Sequence, residues 1–442
     1  MSEFVDKILL KALQEKASEI YIEPQQEDLR IRFRKDGVLH QAFEPLPRKI
    51  ISAVVSRLKL IAGLDIVERR VPQTGYIGRI FEEHNISFWM STLPSRYGET
   101  VVLRLLGNSF TQLALDKLIV DSDSLAIIRE MASYPRGLIL VTGPTDASNL
   151  TTLYSVLAEL NDSTISIYTV EERLGYTLPG STQILVKQEM GMDIASILEV
   201  VLSQNPDVIM VSDMPERETL KNAASAAFRG KLVLCGMHTE DTASAITRLR
   251  EMQVESYMIS GSIIGVIAQR LVRCVCSECR ISYNPSSSEL ARFGLSASSE
   301  GDVTFYKSNS LQSQEIQEAI ANGNLCKKCN GIGYIGQIGI YEVMRVTEGL
   351  RALITENAPT AKIKNFAIKE GMKTLYAYGI KLLIEGYTSL EEIERVLAGA
   401  GLETLTPSPR QRLEAIERQL EELTYQFEQA KKELEHRFKD ER

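Results

Sequence analysis

One run constrains this chain more than any other. Gly137-Leu-Ile-Leu-Val-Thr-Gly-Pro-Thr-Asp-Ala-Ser-Asn-Leu-Thr-Thr-Leu-Tyr154 reads as an apolar strand, then a loop, then a helix. That succession is the setting of a phosphate-binding loop, whose working form is GxxxxGK[ST]. In the working form glycines let backbone N–H groups wrap the phosphates, the lysine reaches the β- and γ-phosphates, and the hydroxyl holds Mg²⁺. Here the setting is present and the pattern does not match. Three more short apolar runs, Thr164–Thr169, Asp207–Val211 and Lys231–Cys235, follow it in sequence, with helical segments between some of them. Such runs suit strands buried on both faces of a largely parallel sheet. The expected fold class is therefore α/β.

The 442 residues exceed one compact core, and two or three domains are expected. Hydrophobic residues at 44% and charged residues at 24% exclude whole-chain disorder and fibrous classes. The net charge of −8 does not direct the chain as a whole to nucleic acid or an anionic membrane. The longest uncharged apolar stretch, near Met258–Ala268, is too short for a membrane span, and the first residues lack a signal peptide's pattern. A soluble intracellular protein is expected.

Residues 1–106 mix helix and strand. Val5, Ile8, Leu9 and Leu13 keep helical spacing, Ile20–Glu23 and Leu29–Arg34 alternate as strands, and Lys35-Asp-Gly37 supplies a turn. Gly107–Gln112 reads as a linker. Residues 339–400 read as helix. Ser408-Pro-Arg-Gln411 then opens a further helix, with serine as cap, proline at the first position and glutamine closing a capping box. Leu413, Ile416, Leu420, Leu423, Phe427, Ala430 and Leu434 follow at alternating spacings of three and four. That seam predicts a coiled coil over 408–442, against the alternative of a helix packing on its own domain.

Cys276-Ser-Glu-Cys279 and Cys326-Lys-Lys-Cys329 are two CxxC pairs separated by 46 residues, in an insertion with serine-rich segments at Ser286–Ser288 and Ser296–Ser299. Four thiolates of this kind suit one tetrahedral structural Zn²⁺; the alternatives are four reduced thiols or a redox pair. Cys274 reads as a bystander, and Cys235 as a core residue. The four histidines show no ligand spacing.

The phosphate-loop segment resembles the GPTGSGK[ST]TTLY loop of the type II secretion and type IV pilus assembly ATPases (GspE/PilB type). The likeness spans nearly all of 1–400. It includes Ser18-Glu-Ile-Tyr-Ile-Glu-Pro24, Leu64-Asp-Ile-Val-Glu-Arg-Arg70, Tyr97–Leu106, Pro206-Asp-Val-Ile-Met-Val211, His238-Thr-Glu-Asp241 and Ala268-Gln-Arg-Leu-Val-Arg273. The resemblance implies an N-terminal sensor-like α/β domain over 1–106 and a RecA-like motor domain over 113–400. It also implies a zinc module inserted at 274–336, a hexameric ring, and pilin or pseudopilin assembly through an inner-membrane platform protein. Partners would be further copies or related ring ATPases, that platform protein and a coiled-coil partner, without nucleic acid. The location would be cytoplasmic, peripheral at the inner membrane through partners. Longer family members carry a further N-terminal docking domain. This chain starts at the sensor-like domain, which marks the 408–442 helix, with Leu420, Leu423 and Phe427 central, as a replacement handle.

Aligned on that loop, Gly143, Pro144, Thr145, Thr151 and Thr152 persist. Asp146 and Ser148 replace glycines, Asn149 the lysine, and Leu150 the Mg²⁺-binding hydroxyl. Asn149 is neutral and short, and Leu150 cannot ligate a hard cation. Asp146 sets a carboxylate where phosphate oxygens belong, and with Ser148 is expected to spoil glycine-type backbone angles. Elsewhere the family's TxEDPxEY becomes Thr169–Tyr176, keeping Glu171 but placing Gly175 at the second glutamate, and MVGEIRD becomes Met210–Glu216, with Asp213 one methylene shorter. Tyr76 and Trp89 stand where the resemblance implies arginines reaching a neighbour's nucleotide; His238 is kept. No catalytic set is intact, and ATP with Mg²⁺ is doubtful as a cofactor. The leading reading is a pseudo-ATPase acting as a structural or regulatory subunit. The alternatives are a divergent active ATPase powering the same machinery, and a repurposed scaffold working through its coiled coil.

Overall fold

The computed structural model describes residues 2–81, 84–106, 114–144, 147–172, 175–186, 191–214, 216–286, 289–290 and 304–398. The linker at 107–112, Thr145, Asp146, most of the serine-rich insertion and the whole 408–442 tail with Leu420, Leu423 and Phe427 lie outside the described residues.

The chain divides into two units, Met1–Ile281 with Tyr306–Val396, and Ser282–Phe305 with Leu397–Arg442. Of the second unit, little beyond the edge-to-face pair Tyr283–Phe305 is described. The first unit holds two seven-stranded sheets.

The first sheet contains β1 (Glu19–Pro24), β2 (Asp28–Lys35), β3 (Val38–Gln41), β4 (Leu46–Pro47), β5 (Gln73–Phe81), β6 (His84–Ser95) and β7 (Gly98–Leu106). Its order is β3-β2-β1-β7-β6-β5, with β4 beside β2, and every pairing is antiparallel. Alternation explains its two faces. Ile20, Ile22, Leu29, Ile31, Phe33, Phe88, Met90, Val101 and Leu103 form the inner face. The helices Ser2–Gln14 and Ile51–Ile61 cover that face with Val5, Ile8, Leu9, Val54 and Leu58. The outer face is charged: Glu19 accepts from Arg34 at 2.7 Å and from Arg104 at 2.6 Å. Burial alone would raise the Glu19 carboxyl, but bonds from Tyr21, Arg104 and Arg34 outweigh it and hold the group below its usual range. The expected turn at Lys35-Asp-Gly37 is present, with Asp36 and Gly37 at positive φ as a tight hairpin requires.

The second sheet contains β8 (Gly137–Thr142), β9 (Ile167–Glu171), β10 (Thr182–Leu185), β11 (Val208–Val211), β12 (Leu232–Met237) and β13 (Ile263–Val275). The short pair β14 (Ile281–Tyr283) and β15 (Phe305–Lys307) forms a ribbon of its own, and β16 (Tyr334–Arg345) closes the second sheet. Its order is β10-β9-β11-β12-β8-β13-β16; the pairings are parallel except β13 with β16. Every residue of β8, β11 and β12 is buried, as their unbroken apolar runs predict. Helices such as Asn149–Leu160 and Arg217–Phe228 pack on the sheet.

Two expectations shift. The apolar run at 164 enters its strand only at Ile167, because Asp162 accepts bonds from the Thr164 amide (2.9 Å) and hydroxyl (2.7 Å) and holds a turn there. Residues 339–345 are strand, not helix. They extend β16 against β13, with Ile340 to Met344 all buried. An apolar run buried on both faces has no period that separates strand from helix. The expected helices follow from Glu348 to Leu397. Among the described residues no helix is long and apolar enough to cross a membrane.

Candidate functional site

The loop after β8 opens at the carboxyl ends of parallel strands, where open α/β sheets place their ligand crevices. Gly143 is there for space: a Cβ on it would meet the Ala147 Cβ and the Gln269 carbonyl at 2.6 Å each. Ser148 has φ 60° and ψ 36° and caps the helix Asn149–Leu160. The expectation that Ser148 spoils a glycine-type angle is thus corrected. Serine adopts the left-handed conformation itself, at a cost of order 1 kcal/mol. Gln269, from β13, fixes the loop from below by donating to the Ala147 carbonyl and accepting from the Thr152 hydroxyl at 2.5 Å.

Asn149 Nδ2 donates to the Met237 carbonyl at 3.2 Å, and its buried Oδ1 has no partner. Leu150 lies against the segment after β9. A Cβ on Gly175 would come within 2.2 Å of the Leu150 Cδ2 and 3.0 Å of its Cγ. The residues at the hydroxyl and second-glutamate positions of the resemblance are therefore in contact, with the Leu150 methyl in the space that a side chain at 175 would enter. The Thr151 and Tyr176 hydroxyls bond at 2.8 Å beside this contact.

The acidic positions are engaged. Asp213 follows β11; its Oδ1 accepts from the Met214 amide at 2.8 Å, and its Oδ2 lies 3.3 Å from His238 Nε2. His238 Nδ1 is 3.1 Å from the Gly143 carbonyl. This bridge spans the ends of β8, β12 and β11. Glu171 is elsewhere: it is fully buried and accepts from the Tyr154 and Thr169 hydroxyls at 2.7 Å each. Burial pushes its carboxyl up, only partly countered by those bonds, and burial also pushes the Tyr154 phenol up.

The resulting cleft has a volume of about 320 Å³, with Ser148, Asn149, Leu150, Thr151, Asp213 and His238 among its walls. Glu172 lines it where Glu171 does not. Sequence reasoning missed Tyr176 and Arg104. Arg104 is an ordinary outward residue of β7, and only the tertiary fold brings the end of that strand to the cleft. Tyr76 and Trp89 are direct cross-strand partners of β5 and β6, so the two replaced arginine positions form one place on that sheet.

The two CxxC pairs converge. All four sulfurs of Cys276, Cys279, Cys326 and Cys329 lie within 4.8 Å of one another, with Cys276–Cys326 at 3.8 Å and Cys279–Cys329 at 3.5 Å. A tetrahedron with Zn–S bonds of about 2.3 Å sets its sulfurs about 3.8 Å apart. The backbone amides of Cys329 and Lys328 push the Cys326 thiol down to about 7, and the Gly333 amide donates to the Cys329 sulfur at 3.3 Å. Gly333 must be glycine: φ is +79° and a Cβ would meet Ser310 at 2.6 Å. This donor set fits a metal ion that favours thiolate. Cys274 stands outside the cluster, and Cys235 is buried in β12, as expected.

The sequence model of the type II/IV secretion system protein family matches residues 1–395. The chain belongs to that family. It is 37% identical over 391 residues to the type IV pilus assembly ATPase PilB of Myxococcus xanthus, covering 88% of this chain and 66% of that protein. It is 38% identical over 400 residues to the putative type II secretion system protein E of Escherichia coli, covering 90% and 77%. The chain thus spans about two thirds of the first of these relatives. Two solved structures share the fold. The Legionella pneumophila ATPase DotB gives a TM-score of 0.63 at 16% identity, covering 90% of this chain and 95% of that one. The ADP-bound pilus retraction motor PilT gives 0.58 at 20% identity, covering 91% and 97%.

Tested against Mg-ATP, the described part of the loop in this secretion-family chain lacks two groups that such a ligand uses. No lysine stands at the loop position, Leu150 offers no oxygen, and Asp213 already has partners on both oxygens. Gly175→Glu is expected to destabilise the chain by about 1–3 kcal/mol through overpacking, measured by denaturant unfolding. Leu150→Ala in the same chain should recover most of that loss. Strictly additive single and double variants would show that Leu150 is not the obstacle.

Proposed function

We propose that this chain is a non-hydrolysing member of the secretion and pilus-assembly ATPases, a pseudo-ATPase that serves a type IV pilus or type II secretion-like system as a structural or regulatory subunit. The observation that carries this reading is the packing of Leu150 against Gly175 in the lining of the cleft, with Asn149 donating to the Met237 carbonyl in the same lining. Phosphoryl transfer needs cation, metal and an acid that positions water. Here the first two are replaced, and the remaining acid accepts from its neighbouring amide and lies 3.3 Å from His238 Nε2.

The subunit would keep the family's organisation: a sensor-like domain over 1–106, a motor-like domain over 113–400, and a zinc module at 274–336 held by Cys276, Cys279, Cys326 and Cys329. It would enter a ring with its own copies or with active relatives at the cytoplasmic side of the inner membrane. The 408–442 helix, through Leu420, Leu423 and Phe427, would supply a partner contact by coiled-coil pairing.

Calorimetric titration with ATP, with and without Mg²⁺, tests the central claim. Mg²⁺ should not tighten any binding that is seen. Binding that Mg²⁺ tightens and that Asp213→Asn weakens would overturn it.

A further inference from the structure

A second cleft among the described residues lies apart from the degenerate phosphate loop. It lies in the first-sheet domain and has a volume of about 620 Å³. One wall is the start of the helix Ile51–Ile61, with Ser52 and Ser56 one turn apart above Ile51 and Val55. The other is the two-residue hairpin joining β6 to β7, where the Ser95 hydroxyl donates to the Gly98 carbonyl at 2.5 Å. The hairpin is pressed onto the helix: a Cβ on Gly98 would meet Ile51 and Pro24 at 3.3 Å, and its φ is +143°.

Three cations rim this cleft: Arg48, Lys49 and Arg69. Arg48 is held by one bond from its guanidinium to the Gln26 carbonyl at 2.8 Å. No carboxylate of the described residues forms an ion pair with any of the three. The acid in the lining, Glu99, is already spoken for: Lys59, 1% exposed, donates to it at 2.7 Å. The cleft therefore presents unbalanced positive charge, several hydroxyls, and apolar surface from Ile51, Val55 and Tyr97. Clefts of this size hold ligands of several hundred daltons, and gathered cations raise the local concentration of anions.

We infer that this cleft binds a nucleotide, its phosphates on Arg48, Lys49 and Arg69 and its base against Tyr97, whose ring carries the Arg96 guanidinium at 5.4 Å. The binding needs no divalent ion, because three side-chain cations meet the phosphates and the one carboxylate of the lining is paired with Lys59. The site is separate from the degenerate loop, so nucleotide binding by this chain and loss of hydrolysis are compatible. Regulation by nucleotide would act through the sensor-like domain.

The test is calorimetry of the full chain with ADP in EDTA, beside adenosine and pyrophosphate. ADP should bind more tightly than either fragment, and more weakly as salt rises. Arg48→Glu with Arg69→Glu should weaken ADP at least about tenfold, since charge-assisted contacts of this kind are each worth that much. Both arginines are exposed, and an unchanged melting temperature checks that the variant is folded. Undiminished ADP binding in that variant overturns the inference, and so does pyrophosphate binding as tightly as ADP. Either result leaves the hydrolysis reading standing, which fails only on Mg²⁺-dependent binding or turnover.

Discussion

Supplied with saturating Mg²⁺ and ATP, the full chain is expected to release phosphate no faster than its Asp213→Asn variant. Removal of a single preorganised charge-stabilising group typically lowers turnover by about 10²–10³-fold. This chain lacks the loop cation and the metal-binding hydroxyl, and its acid at 213 is shortened and engaged. Such parts act as a unit, so the losses do not multiply, and the first of them already removes most of the rate. The packing makes the loss hard to reverse. Leu150→Thr alone restores a hydroxyl but leaves Gly175 without its carboxylate, and Gly175→Glu alone meets Leu150 at 2.2 Å. Each single repair should therefore remain inactive. Magnesium-dependent turnover that disappears with Asp213→Asn would sink the pseudo-ATPase reading.

Removal of metal from the cysteine cluster should have the other large effect. Metal analysis of the purified chain should give about one zinc per chain, and none in Cys276→Ser with Cys329→Ser. Structural zinc sites bind with apparent free energies of about 10–16 kcal/mol near neutral pH, and that energy is folding energy. The position of the cluster shows where the loss would spread. Cys276 directly follows β13, and Tyr334, shortly after Cys329, begins β16. The cluster thus clamps the outer ends of the antiparallel pair at the sheet edge. Arg273, in β13, bonds to buried Glu392 at 2.6 Å and lies over the Tyr334 ring, so the helix Leu390–Leu397 is tied to the same place. Chelation should expose amides of Val272–Val275 and Tyr334–Gln337 to hydrogen exchange while leaving β8 and β12 protected. Uniform protection after zinc loss would show that the thiols alone hold this end.

Much of the fold was legible because its signals are local. An apolar run such as Gly137–Thr142 can be satisfied only between two other strands, and the alternation over Leu29–Arg34 only on a half-buried sheet. The strand at Tyr334–Arg345 was not legible, because burial on both faces erases periodicity.

The sequence by itself determined the α/β class, the place of the phosphate loop, the loss of its lysine and hydroxyl, and the two cysteine pairs, because each is a matter of residue type at fixed spacing. Only the tertiary structure decided how those positions relate. It seated Leu150 in the space left by Gly175, bonded Asn149 to the Met237 carbonyl and buried Glu171 out of the cleft. It also brought four sulfurs to one point and gathered Arg48, Lys49 and Arg69 around an unclaimed cleft. The reason is physical: these residues are far apart in the chain, and only packing, which no local spacing encodes, sets which side chains share a volume or a charge.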